Sequence, residues 1–180
     1  MMRRRQFLNL GPAALPVAAA IVSSGVVRGD DGSAKEFLGA WSTIHKLPFP
    51  PDSFREFISF AEGGVVHETN SYLHTTSSQD LTALGIPHVG VTASDGTGNW
   101  QRVANGVIQV VFRKMMFDNT HQNFADMRVT GALHSDGITL TGVWIVQLVG
   151  LDDHVLIEFP PATSEGTRMG CSAVTGCRLP

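Results

Sequence analysis

Beyond the first thirty residues, apolar and polar positions alternate with a period of two, and glycine-containing pairs interrupt the alternation at intervals. Gly63-Gly64, Asn105-Gly106 and Asp136-Gly137 each separate two runs rich in Val, Ile, Phe, Thr and Trp. Such pairs supply the positive φ that a type I′ turn needs, so each predicts a two-residue hairpin. At Asp136-Gly137 this register sets Leu133 opposite Leu140, Gly131 opposite Gly142, Val129 opposite Trp144 and Met127 opposite Val146. The alternate face carries His134, Thr139, Thr141 and Arg128, the sorting expected of a half-buried antiparallel sheet. At Gly63-Gly64 a tight turn sets Phe60 opposite His67, Ile58 opposite Thr69 and Glu56 opposite Ser71, which sends Glu56, Ile58, Phe60 and His67 inward.

Counting outward from the turns predicts eight strands at residues 38–45, 54–62, 65–74, 98–104, 107–117, 123–134, 138–149 and 154–159. No segment with helical period exceeds two turns. Sequential hairpins with short connections make an all-β, antiparallel up-and-down meander, which hides its edges by closing into a barrel. A two-sheet sandwich is the alternative. The long connection is 75–97, rich in Ser, Thr, Gly and Pro, where residues 78–84 could form one helical turn ending at Gly85. Loops of that length commonly act as lids or binding segments.

The first 29 residues read as an address. Arg3, Arg4 and Arg5 precede an apolar stretch from Leu10 to Val27 that ends among small residues, the pattern of a signal peptide. Arg4-Arg5-Gln6-Phe7-Leu8 matches the twin-arginine export pattern of bacteria. Gly11, Pro12 and Pro16 interrupt the stretch, which favours cleavage over a membrane anchor. The expectation is an exported protein, periplasmic or extracellular, whose mature domain is 30–180 and which keeps no stable membrane anchor. The leader holds four of the 13 basic residues and none of the 16 acidic ones, so its removal shifts the net charge from −3 to −7. An acidic domain without a Lys/Arg stripe lacks the footprint of a nucleic-acid binder. Outside the cytoplasm, Cys171 and Cys177 read as a disulfide that pins the terminus.

Gly39-Ala40-Trp41 at the head of the first strand resembles the Gly-x-Trp signature of lipocalins and other calycins, and Gly166-Thr167-Arg168 stands where their closing Arg follows the last strand. Gly98-Asn99-Trp100 and Asp136-Gly137 extend the likeness to small exported bacterial lipocalin-like proteins. The resemblance implies an eight-stranded calycin-like barrel with an apolar cup, Trp41 plugging one end and Arg168 lying over its ring. It also implies a fold that binds small hydrophobic molecules and in some members isomerises or cyclises them.

Candidate chemistry is sparse. The seven histidines show no His-Glu-x-x-His or two-His-one-carboxylate spacing, so no metal or cofactor is expected. Gly96-Thr97-Gly98 lacks the third glycine of a dinucleotide loop and reads as a turn. No Gly-x-Ser-x-Gly elbow occurs. The inward faces instead assemble Ile58, Phe60, His67, Met127, Val129 and Trp144 as the wall of a small-molecule pocket. The leading expectation is therefore a barrel that binds a small hydrophobic or amphipathic molecule. Two alternatives stay open: an isomerase or cyclase using Glu56, His67 or Tyr72 for proton transfer, and a non-catalytic interaction module whose barrel is filled by side chains.

Overall fold

The computed structural model describes residues 34–48, 52–71, 81–82 and 85–170. Ten antiparallel strands follow one another: β1 (Gly39–Lys46), β2 (Ser53–Phe60), β3 (Val65–Asn70), β4 (Thr92–Ala93), β5 (Gly96–Ala104), β6 (Val107–Phe117), β7 (Asn123–Ser135), β8 (Thr139–Gly150), β9 (Val155–Glu158) and β10 (Ala162–Arg168). The order β10-β1-β2-β3-β5-β6-β7-β8 closes on itself because β10 pairs with both β1 and β8. The protein is thus an all-β, eight-stranded antiparallel barrel of up-and-down topology. β4 and β9 are short additions, paired with the far ends of β6 and β8.

The strand that seals the wall is not the one the sequence pattern selects. That pattern makes 154–159 the eighth strand, but β9 pairs only with β8, and 162–168 does the sealing. This segment, Ala-Thr-Ser-Glu-Gly-Thr-Arg, has no large apolar residue, so its strand period is invisible to hydropathy. Its inward residues Ala162, Ser164 and Gly166 are small because they lie against bulky neighbours, and a Cβ at Gly166 would come 2.5 Å from the Thr43 methyl. Gly96-Thr97-Gly98 also lies within a strand, β5, not in a turn. There a Cβ on Gly98 would sit 2.0 Å from the Val111 carbonyl oxygen, so the glycine is required by close strand approach.

Two hairpins depart from the expected register. At Asp136 the loop is longer by two residues, so Ser135 pairs with Leu140, Gly131 with Trp144 and Leu133 with Gly142. The shift is even and keeps every face, but it sets a large residue against a glycine twice. The Trp144 ring covers Gly131, whose Cβ would lie 2.4 Å from it, and Leu133 covers Gly142 at 2.2 Å. Complementary volume therefore decides the register, and the Asp136 carboxylate accepts the Ile138 and Thr139 N–H groups to close the loop. At Gly63 the slip is odd. Ala61 N–H donates to Val65 O, Phe60 pairs with Val66 and Ser59 with His67. The loop is Glu62-Gly63-Gly64, with both glycines at φ 84°. Every side chain of β3 consequently faces the other way from the expected arrangement. The Asn105-Gly106 hairpin has its expected two-residue loop, with Ala104 opposite Val107.

The barrel interior has two characters. Around Trp41 it is apolar, with Phe37, Ile58, Phe60, Val66, Leu133, Leu140 and Trp144 in one buried cluster. Towards the other end, Ile86 and Val91 of the β3–β5 connection cover Met116, Ala125 and Leu148 in a second cluster. Between these clusters, on the β1–β2–β3–β6 side, the interior is polar.

Candidate functional site

Strand alternation places Trp41, Thr43 and His45 of β1 on one inner row, and Glu56, Ile58 and Phe60 of β2 on the next. The corrected register adds Val66 and Glu68 from β3, and β6 contributes Phe112, Lys114 and Met116. Four ionisable side chains thus meet inside the wall: His45, Glu56, Glu68 and Lys114, each almost wholly buried. Glu56 faces Asn70 and Glu68 faces Ile58 across β2 and β3, so the two carboxylates are diagonal neighbours.

Each carboxylate has a basic partner on its outer side. His45 Nε2 and Glu56 Oε2 are hydrogen-bonded at 2.5 Å, and the Thr43 hydroxyl donates to the same oxygen at 3.0 Å. His45 is fixed from above by stacking on Phe54, with centroids 4.7 Å apart, and from the side by Trp144 at 5.4 Å. Glu68 Oε1 accepts from Asn70 Nδ2 at 2.7 Å and from Lys114 Nζ at 3.1 Å. Lys114 Nζ also approaches Oε2 to 2.8 Å as an ion pair, but its directed bond goes to Oε1, and Oε2 has no directed donor among the described residues. Side-chain exposure is 0% for Glu68 and 1% for Lys114. Burial pushes the Glu68 carboxyl up from 4.5 to about 7, the negative charge of Glu56 adds to the rise, and Lys114 and Asn70 offset only part of it. A little further round, Trp144 Nε1 donates to Ser164 Oγ at 2.8 Å.

The six residues expected to line a pocket separate into three groups. Ile58, Phe60, Val129 and Trp144 are buried together in the apolar cluster, and Met127 is half-buried against both clusters. His67 is on the outer wall, exposed, with Nδ1 3.5 Å from the Thr97 hydroxyl, because the odd slip at Gly63 turns β3 over. It can take no part in chemistry inside the barrel. Glu56 is inside. Tyr72, the leader, the Cys171–Cys177 pair and most of 78–84 lie outside the described residues. Two shallow depressions, of about 380 and 460 Å³, open on the wall: Phe57, Ile58, Ser59, His67, Glu68 and Gly96 are among the residues lining the first, and Leu133, His134, Thr141, Val143 and Ser164 among those lining the second.

At the opposite end, Trp41 is 0% exposed and donates from Nε1 to Phe37 O at 2.7 Å. Arg168 is its cross-strand partner, the last residue of β10, with its guanidinium carbon 4.7 Å from the indole centroid. The same guanidinium donates to the carbonyls of Gly137 (2.8 Å), Leu38 (2.6 Å) and Glu36 (2.5 Å), tying the entry segment and the β7–β8 loop to the end of the barrel.

Sequence reasoning missed His45, Glu68 and Lys114. Lys114 was legible, since it alternates with Val110, Phe112 and Met116; so was His45, two and four positions from Thr43 and Trp41. Glu68 depended on the β2–β3 register. Among the described residues no three His, Cys, Asp or Glu converge as a metal site.

No family model matches the chain, and no curated protein matches it. Among solved structures it is similar to the crystal structure of Rv2717c from M. tuberculosis, with 11% identity and a TM-score of 0.37 over 75% of this chain and 94% of that one.

Proposed function

We propose that this protein is an exported, calycin-like barrel that binds a small amphipathic molecule, seating its polar end among His45, Glu56, Glu68 and Lys114. The observation that carries this reading is the buried belt itself. Replacing buried polar pairs by well-packed apolar side chains of similar volume is often neutral or stabilising, so a barrel that merely had to be filled has no need of them. Buried polar groups retained between two apolar clusters match the usual composition of a ligand site, apolar walls with a few polar anchors. The Gly39-Ala40-Trp41 and Arg168 pairing supports the calycin likeness, and the leader pattern of Arg3 to Val27 supports export. Native mass spectrometry of protein purified from its own host tests the binding reading. The expected result is a folded species carrying a non-covalent mass of a few hundred daltons, lost on Lys114→Met. A bare chain mass, together with no change in Trp fluorescence across a panel of amphiphiles, defeats it.

The position of Glu68 favours a second reading, proton transfer on the bound molecule. A carboxyl that titrates near neutrality beside the His45–Glu56 pair can both release and accept a proton at working pH. Incubation of the co-purified molecule with protein in heavy water would then add deuterium at carbon, and Glu68→Gln would stop it. A ligand that binds but never exchanges restricts the barrel to carriage.

A further inference from the structure

We propose that β3 and β5 form a gate in the barrel wall, hinged at Trp100 and latched by the Glu68–Lys114 pair reaching across Gly96. The inference concerns the wall itself and holds with or without a ligand. Three observations carry it. First, β3–β5 is the shortest seam: four residue pairs join Val65–Glu68 to Gly96–Asn99, against five to eleven between other neighbouring wall strands. Second, the two ends of the seam are held differently. At one end Trp100 donates its main-chain N–H to Gly64 O at 2.7 Å and Nε1 to Ala61 O at 3.1 Å, and its ring meets Phe60 edge-on. At the other end Glu68 faces Gly96 and the pairing stops. Third, Thr97 opposite Arg113 sets Gly96 beside Lys114, so Glu68, Gly96 and Lys114 form one inward row across β3, β5 and β6. Lys114 crosses the bare glycine, and its Nζ lies 3.1 Å from Glu68 Oε1 and 2.8 Å from Oε2. A Cβ on Gly96 would lie 2.7 Å from Oε2 and 2.7 Å from the Phe112 ring, so the crossing requires glycine there. The pair thus straps β3 to β6 over the first residue of β5. His67, Glu68, Thr69, Asp95 and Gly96 also line the depression outside this latch, so a parted seam leads from solvent to the buried belt.

The latch responds to protons. Glu68 is faced by Lys114 from β6 and by Glu56 from β2, with Asn70 on its own strand and His45 of β1 behind Glu56. From β5 it meets only Gly96, which Asp95 precedes. Burial and the charge of Glu56 hold the carboxyl at about 7 in the closed wall, and exposure to water returns it towards 4.5. The closed seam is therefore favoured at low pH and loses ground as pH rises through that window.

Native-state hydrogen exchange of the full chain, read by mass spectrometry and corrected for intrinsic rates, tests the gate. At about pH 8 the amides of β3 and of Gly96–Asn99 should be at least about tenfold less protected than those of β7 and β8. Low urea should leave the seam's exchange unchanged and speed that of β7 and β8, since a local opening exposes little new surface. Between about pH 5.5 and 8 the seam's protection should fall at least about tenfold, and Glu68→Gln should abolish that fall. The wild-type pH and urea series decide by themselves if the variant does not fold. Equal protection and equal urea response in the seam and in β7–β8 overturn the gate, because the wall then opens as one unit. A seam that opens separately but without the pH dependence overturns Glu68–Lys114 as its latch.

Discussion

Arg168 shows how one side chain can hold an end of the barrel by several bonds at once. Its guanidinium faces the Trp41 ring and three main-chain carbonyls from two separate segments, a geometry that a lysine ammonium cannot reproduce. Arg168→Lys should therefore lower stability by about 1–2 kcal/mol in urea unfolding, because at least one partly buried carbonyl is left without its donor. Trp41→Ala should cost more, about 3–5 kcal/mol, through the cavity left at the plug. Glu68 has the opposite effect on folding. Below 4.5 its carboxyl is protonated in folded and unfolded chains alike; between 4.5 and about 7 only the folded chain retains the proton. Stability from this group is thus lost as pH rises through that window, on the order of 3 kcal/mol at full size. Urea midpoints measured from pH 4.5 to 8 should fall for the wild type and stay level across that range for Glu68→Gln. The Trp41 and Arg168 positions are named by a short motif that the resemblance supplies. Lys114 is open to simple alternation yet easily passed over, since a lysine next to Arg113 reads as a solvated face until its strand is known to be buried on one side.

Strand existence was largely legible, because seven of the wall strands carry enough Val, Ile, Phe, Met or Trp to show their period. Register was not, because a hairpin dipeptide fixes the neighbourhood of a turn and not its length. The Asp136 loop gains two residues without harm to the faces, whereas the single-residue difference at Gly63 moves His67 from the interior to solvent and brings Glu68 in. Pairing bulky residues with glycines is the stronger guide: Trp144 with Gly131 and Leu133 with Gly142 could have been preferred to Gly131 with Gly142 on volume alone. Gly131→Ala makes this checkable. Its methyl would enter the space of the Trp144 ring, so the variant should lose about 1–3 kcal/mol and shift Trp emission to longer wavelength. An unchanged spectrum with unchanged stability would show that the ring does not rest on that glycine. β10 stays hidden in the sequence because its inner face is Ala162, Ser164 and Gly166, small residues that hydropathy treats as a loop.

For the whole molecule, β10 decides whether there is a barrel at all, since β1 and β8 each present an unpaired edge without it. A chain ending after Pro161 should expose both edges and aggregate, read by light scattering at micromolar concentration. A chain ending after Gly170 keeps all eight wall strands and should stay monodisperse. Should the shorter chain also remain soluble and cooperative, β10 is not the seal. Trp41 pairs with Arg168, so the first and last wall strands meet across most of the folded chain's length. That separation makes the ring a high contact-order structure, slow to assemble compared with its hairpins. Synthesis delivers the chain from its first residue onward at about 5–20 residues per second, so the β2-β3 and β6-β7-β8 hairpins can form while the ring cannot. Closure of the wall, and with it the full burial of the His45–Glu56 and Glu68–Lys114 pairs, therefore has to wait until residue 168 has left the ribosome.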